Sequence, residues 1–157
     1  MAGAKDKSNF GKIADLLEQL KQRKLPVVPK RAGVSEIIDA FAASDHSRIL
    51  YVVDDESRFT GVLSLGNMIR HVFFHYHDPS IDTQSVISMV ISETAGDFMQ
   101  KDSIFAIYSE DVEDVLQRMI DHNVKEIPIL DDEKRVVADL TIVDLLKYYK
   151  SVKGPDL

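Results

Sequence analysis

The chain has 157 residues, 45% of them hydrophobic and 29% charged, with a formal net charge of -7 and no cysteine. That composition suits one domain or two small subdomains sharing a core, and it is too apolar for a disordered chain. It excludes thiol catalysis, disulfides and cysteine-bound zinc. It also lacks the basic footprint of a general nucleic-acid binder, although one or two local cations would suffice for a small anionic ligand.

In chain order, the opening "MAGAKDKSNFGK" is polar and has no apolar secretory core. No apolar run approaches the roughly 20 residues of a membrane helix. A cytoplasmic protein without membrane contact is expected. Gly11 to Lys24 places Ile13, Leu16, Leu17 and Leu20 on one stripe, which predicts an amphipathic helix packed on the rest of the chain or on a second copy. "VSEIIDAFAAS" sets Val34, Ile37, Ile38 and Phe41 at helical spacing. "RILYVV" and "FTGVLS" predict a hairpin around the acidic turn "DDESR", and "GNMIRHVFFHY" predicts a closing helix. The stretch Ser80 to Met99 joins this half to the next. Asp82 or Thr83 can cap a helix there that is apolar on more than one side, which points to an oligomer. "VEDVLQRMIDH" then predicts a helix, "EIPIL" and "RVVADLT" a second hairpin around "DDEKR", and "IVDLLKYYK" a last helix.

The two halves are a repeat. Ile49–Ile69 overlays Glu126–Leu146 without a gap, and "VSEIIDAFA" matches "VEDVLQRMI" after a shift of one residue. The expected fold class is α+β, as two pseudo-symmetric helix-strand-strand-helix repeats. Each would be a small sheet packed on two helices, with an N-terminal helix added. The expected boundaries are a tail and helix over 1–24, a first repeat over 25–79, a linker helix over 80–93, a second repeat over 94–150 and a tail over 151–157.

Several stretches carry a family resemblance: the lead-in "DFM", the helix ending in "HNV", the apolar-Pro-apolar strand "IPIL" and the strand-to-helix passage "LTIVD". With these the second half resembles the cystathionine-β-synthase (CBS) domain, and the whole chain a tandem CBS pair, or Bateman module. The first half departs from the pattern, with Tyr51 in place of Pro128 and "LSLGN" in place of "LTIVD". The resemblance implies a regulatory, non-catalytic module. Its ligand would be an adenosine compound (AMP, ADP, ATP or S-adenosylmethionine) bound in clefts between the halves. Two pairs would associate into a disc-like homodimer that signals to a protein partner in trans.

The residues then take roles. Thr141 stands where a strand gives way to a helix, and free N–H groups at a helix start favour phosphate. The resemblance gives Thr141 a phosphate contact and Asp144 the ribose hydroxyls. The same Thr-x-x-Asp spacing is a capping box that needs no ligand, and the residues alone leave both roles open. Ser64 and Asn67 hold the matching places in the first half, where Asn lacks the charge that strengthens an acceptor. Lys125 and Arg48 precede matching strands; the resemblance implies that a basic residue there faces the phosphates, and an exposed cation at a strand start is the other reading. The backbone around Ile127 to Ile129, and Ser103, Ile104 and Phe105 before the second half's first strand, would flank the adenine.

Three of the five histidines fall in "HVFFHYHDP". His71 and His75 are four apart on one helix face, and His77 follows at its end. Such a set can complement a helix C-terminal dipole, titrate near neutrality at a dimer contact, or bind a metal with a third ligand. The chain has no Walker motif, no GxGxxG and no HExxH, so catalysis and a catalytic cofactor are not expected. Besides the nucleotide sensor, two readings stay open: a ligand-free dimerisation module, and a metal- or pH-responsive one using His71, His75 and His77.

Overall fold

The computed structural model describes residues 10–20, 22–70, 80, 82, 84 and 93–154. In chain order its elements are α1 (Ile13–Gln19), β1 (Val27–Pro29), α2 (Val34–Ala43), β2 (Ile49–Val53), β3 (Phe59–Ser64), α3 (Ala95–Phe98), β4 (Ala106–Ile107), α4 (Val112–Asp121), β5 (Glu126–Leu130), β6 (Val136–Thr141) and α5 (Ile142–Lys153). Residues 65–70 are also helical. The chain divides into two compact units. One, the first-repeat unit, spans Lys24–Ser103; the other, the second-repeat unit, takes the chain up to Arg23 and from Ile104 onward. No helix among the described residues is long and apolar enough to cross a membrane.

Each unit holds a three-stranded sheet, β1-β2-β3 in one and β4-β5-β6 in the other. The first pair of strands is parallel and the second antiparallel in both. The repeat extends to the turn chemistry. Asp54 Oδ1 accepts from the backbone N–H of Glu56 and Arg58, each at 2.9 Å. Asp131 Oδ1 accepts in the same way from Glu133 and Arg135, again at 2.9 Å. Ser57 and Lys134 take the left-handed conformation that closes each turn, with φ 64° and 63°. An aspartate side chain stands in for a backbone partner here, so the turn is set by local sequence. Each hairpin carries a register irregularity at the same place, between Val52 and Val53 and between Ile129 and Leu130. The expected helices and hairpins are present where the described residues cover them. The short leading strands β1 and β4 complete the sheets; the repeat pattern of helix, strand, strand and helix did not include them.

Each unit closes a core of its own, and each core takes in the lead-in helix of the other repeat. Ile13 and Leu16 of α1, which precedes the first repeat in sequence, are fully buried among Val115, Met119, Ile127 and Leu140 of the second. The attachment is also a backbone one. Ile13 N donates to Glu110 O at 2.9 Å, and Val112 N to Gly11 O at 3.1 Å. Conversely α3, the "DFM" lead-in to the second repeat, places Ala95 and Phe98 among Ile37, Leu50 and Leu63 of the first. Ala95 N donates to Ala32 O and Gly96 N to Lys30 O, both at 2.9 Å. The predicted amphipathic helix is therefore built into its own chain's second-repeat unit.

After the lead-in helix the units differ. In the first-repeat unit Gln100 pairs with Val62 of β3 through two backbone hydrogen bonds of 3.0 and 2.8 Å. Gly61 makes this approach possible, because a Cβ there would lie 2.6 Å from Gln100 O and 2.9 Å from Met99 Sδ. Gly61→Ala is expected to cost about 1–3 kcal/mol through overpacking. A urea midpoint matching the parent protein would show that the close approach is dispensable. The matching residue of the second-repeat unit, paired with Ile129 as Gly61 is with Val52, is Ala138. Among the described residues no such backbone bridge forms at the neighbouring Asp139.

Candidate functional site

Asp139 and the β6–α5 junction make the polar centre of the second-repeat unit. β6 ends at Thr141, whose extended backbone (φ -108°, ψ 161°) turns the chain into α5. Thr141 Oγ1 accepts from Asp144 N at 3.1 Å, and Asp144 Oδ2 accepts from Thr141 N at 2.9 Å. The capping box is thus formed, and it satisfies donors that a helix start otherwise leaves unpaired. The next donor, Ile142 N, reaches Lys125 O at 2.9 Å, tying the helix start to the head of β5. Both Thr141 and Asp144 are buried.

Capping uses only one edge of the Asp144 carboxylate. The other is held by Arg23, at the end of the segment that follows α1. Arg23 Nη1 donates to Asp144 Oδ1 at 3.0 Å and Nη2 to Asp144 Oδ2 at 2.6 Å. The same guanidinium forks onto Asp139, with Nε to Oδ1 and Nη2 to Oδ2 at 3.1 Å each. Nη2 also lies 3.1 Å from the Asp139 carbonyl oxygen. A side chain thus reaches the place on β6 where Gln100 reaches β3 with its backbone. Planar guanidinium matches paired carboxylates well, which an ammonium on the same stem would not. A cavity of about 430 Å³ lies against this cluster, lined by Leu16, Gln19, Arg23, Asp144 and Lys147 among others.

The electrostatics follow from that packing. Burial works to raise the Asp144 pKa, but the hydrogen bonds from Arg23 and from Thr141 N outweigh it and hold the carboxyl below its usual range. Burial likewise opposes the charge on Arg23, and the hydrogen bonds from it to Asp144 and Asp139 more than restore it, raising its pKa. Asp144 is therefore ionised and capping at neutral pH.

The other expected site residues are more scattered. Lys125 and Arg48 are exposed at the heads of β5 and β2. Their carbonyls accept the first helical N–H of Ile142 and Leu65 respectively, both at 2.9 Å. Lys125 Nζ donates to Asn123 Oδ1 at 3.2 Å. The side chain of Ile127 is buried in the core of the second-repeat unit. Ile104 packs at the edge of that core, while Ser103 Oγ donates to Gln100 O at 3.2 Å within the first-repeat unit. Ser64 repeats the helix cap, accepting from Asn67 N at 3.1 Å. Asn67 Oδ1 accepts from Arg70 at 2.7 Å. Val62 stands where the second-repeat unit has Asp139, so the buried acid pair belongs to one unit only. His71, His75 and His77 lie outside the described residues, among which no group of His, Asp and Glu is placed to hold a metal.

Comparison with known proteins matches this geometry to a family. The chain is similar in fold to a CBS domain-containing protein of Thermotoga maritima, with 23% identity, 94% of this chain and 99% of that one covered, and a TM-score of 0.69. CBSX2, solved in complex with AMP, is 18% identical over 91% of this chain and 98% of its own, with a TM-score of 0.70. The CBS domain pair of protein MJ0100, solved with 5'-methylthioadenosine and S-adenosyl-L-methionine, is 17% identical over 90% and 98%, with a TM-score of 0.66. No curated protein matches the chain in sequence. The CBS domain model matches twice, over residues 13–73 and 95–151. Both segments begin at the lead-in helices α1 and α3, the first at Ile13 and the second at Ala95, and together they span well over half of the residues: the chain belongs to the CBS domain family and carries the domain as a tandem pair.

Proposed function

We propose that the chain is a regulatory, non-catalytic module that binds an adenosine compound through Thr141 and Asp144 and conveys its presence to a protein partner. One observation carries this reading. An ionised, buried carboxylate stands at a helix start, where it can accept from two ribose hydroxyls while the N-terminal end of α5 favours a phosphate. The adjoining cavity of about 430 Å³ is within the range of small-molecule sites. Two structural neighbours, solved with AMP and with S-adenosyl-L-methionine, support the ligand class. The Ser64–Asn67 end of the first-repeat unit is the weaker site, because Asn67 offers an uncharged acceptor already used by Arg70.

A second reading, an interaction module without a ligand, is favoured by the exposed apolar face of α5. Val143, Leu146, Tyr149 and Val152 recur there at helical spacing and stay in solvent. We take this face as support for pairing with a second copy, which is compatible with either reading.

The test is the melting temperature of exhaustively dialysed protein with AMP, ADP, ATP, S-adenosylmethionine and NAD. A ligand at 100 times its Kd stabilises by about 2.7 kcal/mol if it binds only the folded chain. That is a rise of roughly 5–10 °C for a chain of this size. The rise is expected with at least one adenosine compound and is expected to vanish in Asp144→Asn. No shift with any of them would leave the interaction module as the standing reading.

A further inference from the structure

The Asp144 edge that a ribose would use already carries a partner. Arg23 offers two N–H donors, Nη1 and Nη2, one to each carboxylate oxygen at 3.0 and 2.6 Å. A vicinal diol would present two O–H donors to the same two oxygens. Oδ2 is also occupied by Thr141 N at 2.9 Å, and the Asp144 side chain is 6% exposed, so no second edge is open. We propose that Arg23 is a tethered competitor for the ligand: the chain occupies its own ribose-binding carboxylate, and a nucleoside enters by displacing the arginine. This rests on the adenosine reading above and specifies how that site is gated.

Asp139 makes the displacement feasible. Withdrawing a guanidinium from a buried carboxylate would ordinarily leave a buried charge unpaired. Here the Nε–Nη2 edge and the Asp139 carbonyl retain Arg23 when Nη1 and Nη2 let go of Asp144. Asp139 is itself nearly inaccessible, with a side chain 2% exposed, and a buried acid holds a cation strongly. The first-repeat unit has Val62 and Asn67 at the two positions, so it has neither the acid pair nor a reason for the arginine. Arg23 is also the last residue before the chain passes into the first-repeat unit at Lys24.

The experiment compares AMP binding by titration calorimetry in the parent protein, in Arg23→Ala/Asp139→Asn and in Arg23→Ala/Asp139→Asn/Asp144→Asn. Removing the arginine together with its second acid keeps the buried charge balanced, so the double variant is expected to fold, which circular dichroism checks. The double variant is expected to bind AMP at least tenfold tighter than the parent, and the triple variant to lose the gain. 2'-Deoxy-AMP, which lacks the diol, is expected to gain less than AMP. Equal or weaker AMP binding in the double variant would overturn the gate and leave the nucleotide reading intact. Binding by none of the three, repeated with ATP and S-adenosylmethionine, would overturn both. Binding in the double variant with none detectable in the parent would overturn displacement, because the ligand would then not remove the arginine.

Discussion

Deleting residues 1–23 is expected to unfold the second-repeat unit while leaving the first-repeat unit protected. Ile13 and Leu16 are fully buried in the core of the second unit; α1 supplies backbone partners to Tyr108 and Glu110, and Gly11 just before it one to Val112. A buried leucine cut to alanine costs about 2–5 kcal/mol, and a domain holds only about 5–15 kcal/mol in all. Losing both side chains and their hydrogen bonds therefore consumes most of the margin. Leu16→Ala alone is expected to cost about 3 kcal/mol, which is roughly 6–12 °C in melting temperature. Glu18→Ala, on the exposed face of the same helix, should stay within about 0.5 kcal/mol. Amide exchange read by residue decides the matter for the deletion. Protection lost across 104–154 and kept across 24–70 is the expected pattern, since the first unit has a separate core. Retained protection in 104–154 would mean that α1 is an accessory and not part of that core.

What the sequence made legible is what local chemistry determines. The two hairpins could be read because Asp54 and Asp131 close their turns with bonds to residues two and four positions on. The buried stripe of α4 followed from a period of 3.6; on α2 the same period placed Ile37 in the core with Val34 and Phe41 packed against it, but Ile38, expected on that face, is exposed. The gapless overlay of the halves placed Thr141 opposite Ser64 and Asp144 opposite Asn67. The exchange of α1 and α3 could not be read in this way. Periodicity identifies the apolar face of a helix but not the surface that covers it, and the partner of α1 lies some hundred residues on. The arginine was hidden for a different reason. In "LKQRKLP" it is one of three cations, and such a run usually reads as solvated. A signal did exist on the other side of the pair. Asp139 falls where the overlaid first repeat has Val62, and an acid replacing an apolar partner inside a strand asks for a buried cation. That signal would have called for a lysine or arginine nearby without saying which.

Arg23→Ala is expected to destabilise the protein by about 3 kcal/mol at pH 7, the lower end for a broken buried ion pair because the guanidinium keeps some contact with water. The loss is more than that of one contact. Asp139 and Asp144 remain, both nearly inaccessible and now without a cation between them. The pH dependence separates this charge effect from simple loss of packing. In the parent, burial raises the Asp144 pKa, the Arg23 bonds overcome it, and the net pKa is depressed. A depressed carboxylate contributes stability that is fully present above its unfolded value of about 4 and is lost as the pH falls through its lower folded value. Without Arg23 burial dominates at Asp144, its folded-state value rises, and protonation relieves its buried charge well before it would in the parent. The deficit of Arg23→Ala relative to the parent is therefore expected to be largest near neutrality and to shrink as the pH falls toward 4. Adding Asp139→Asn is expected to recover much of it at pH 7, because only the capped Asp144 is then left charged. Urea midpoints across that pH range supply the comparison. A deficit of equal size at pH 7 and pH 4, unrelieved by Asp139→Asn, would assign the contribution to the packed stem of Arg23, and the arginine would then be a strut whose charge does not matter.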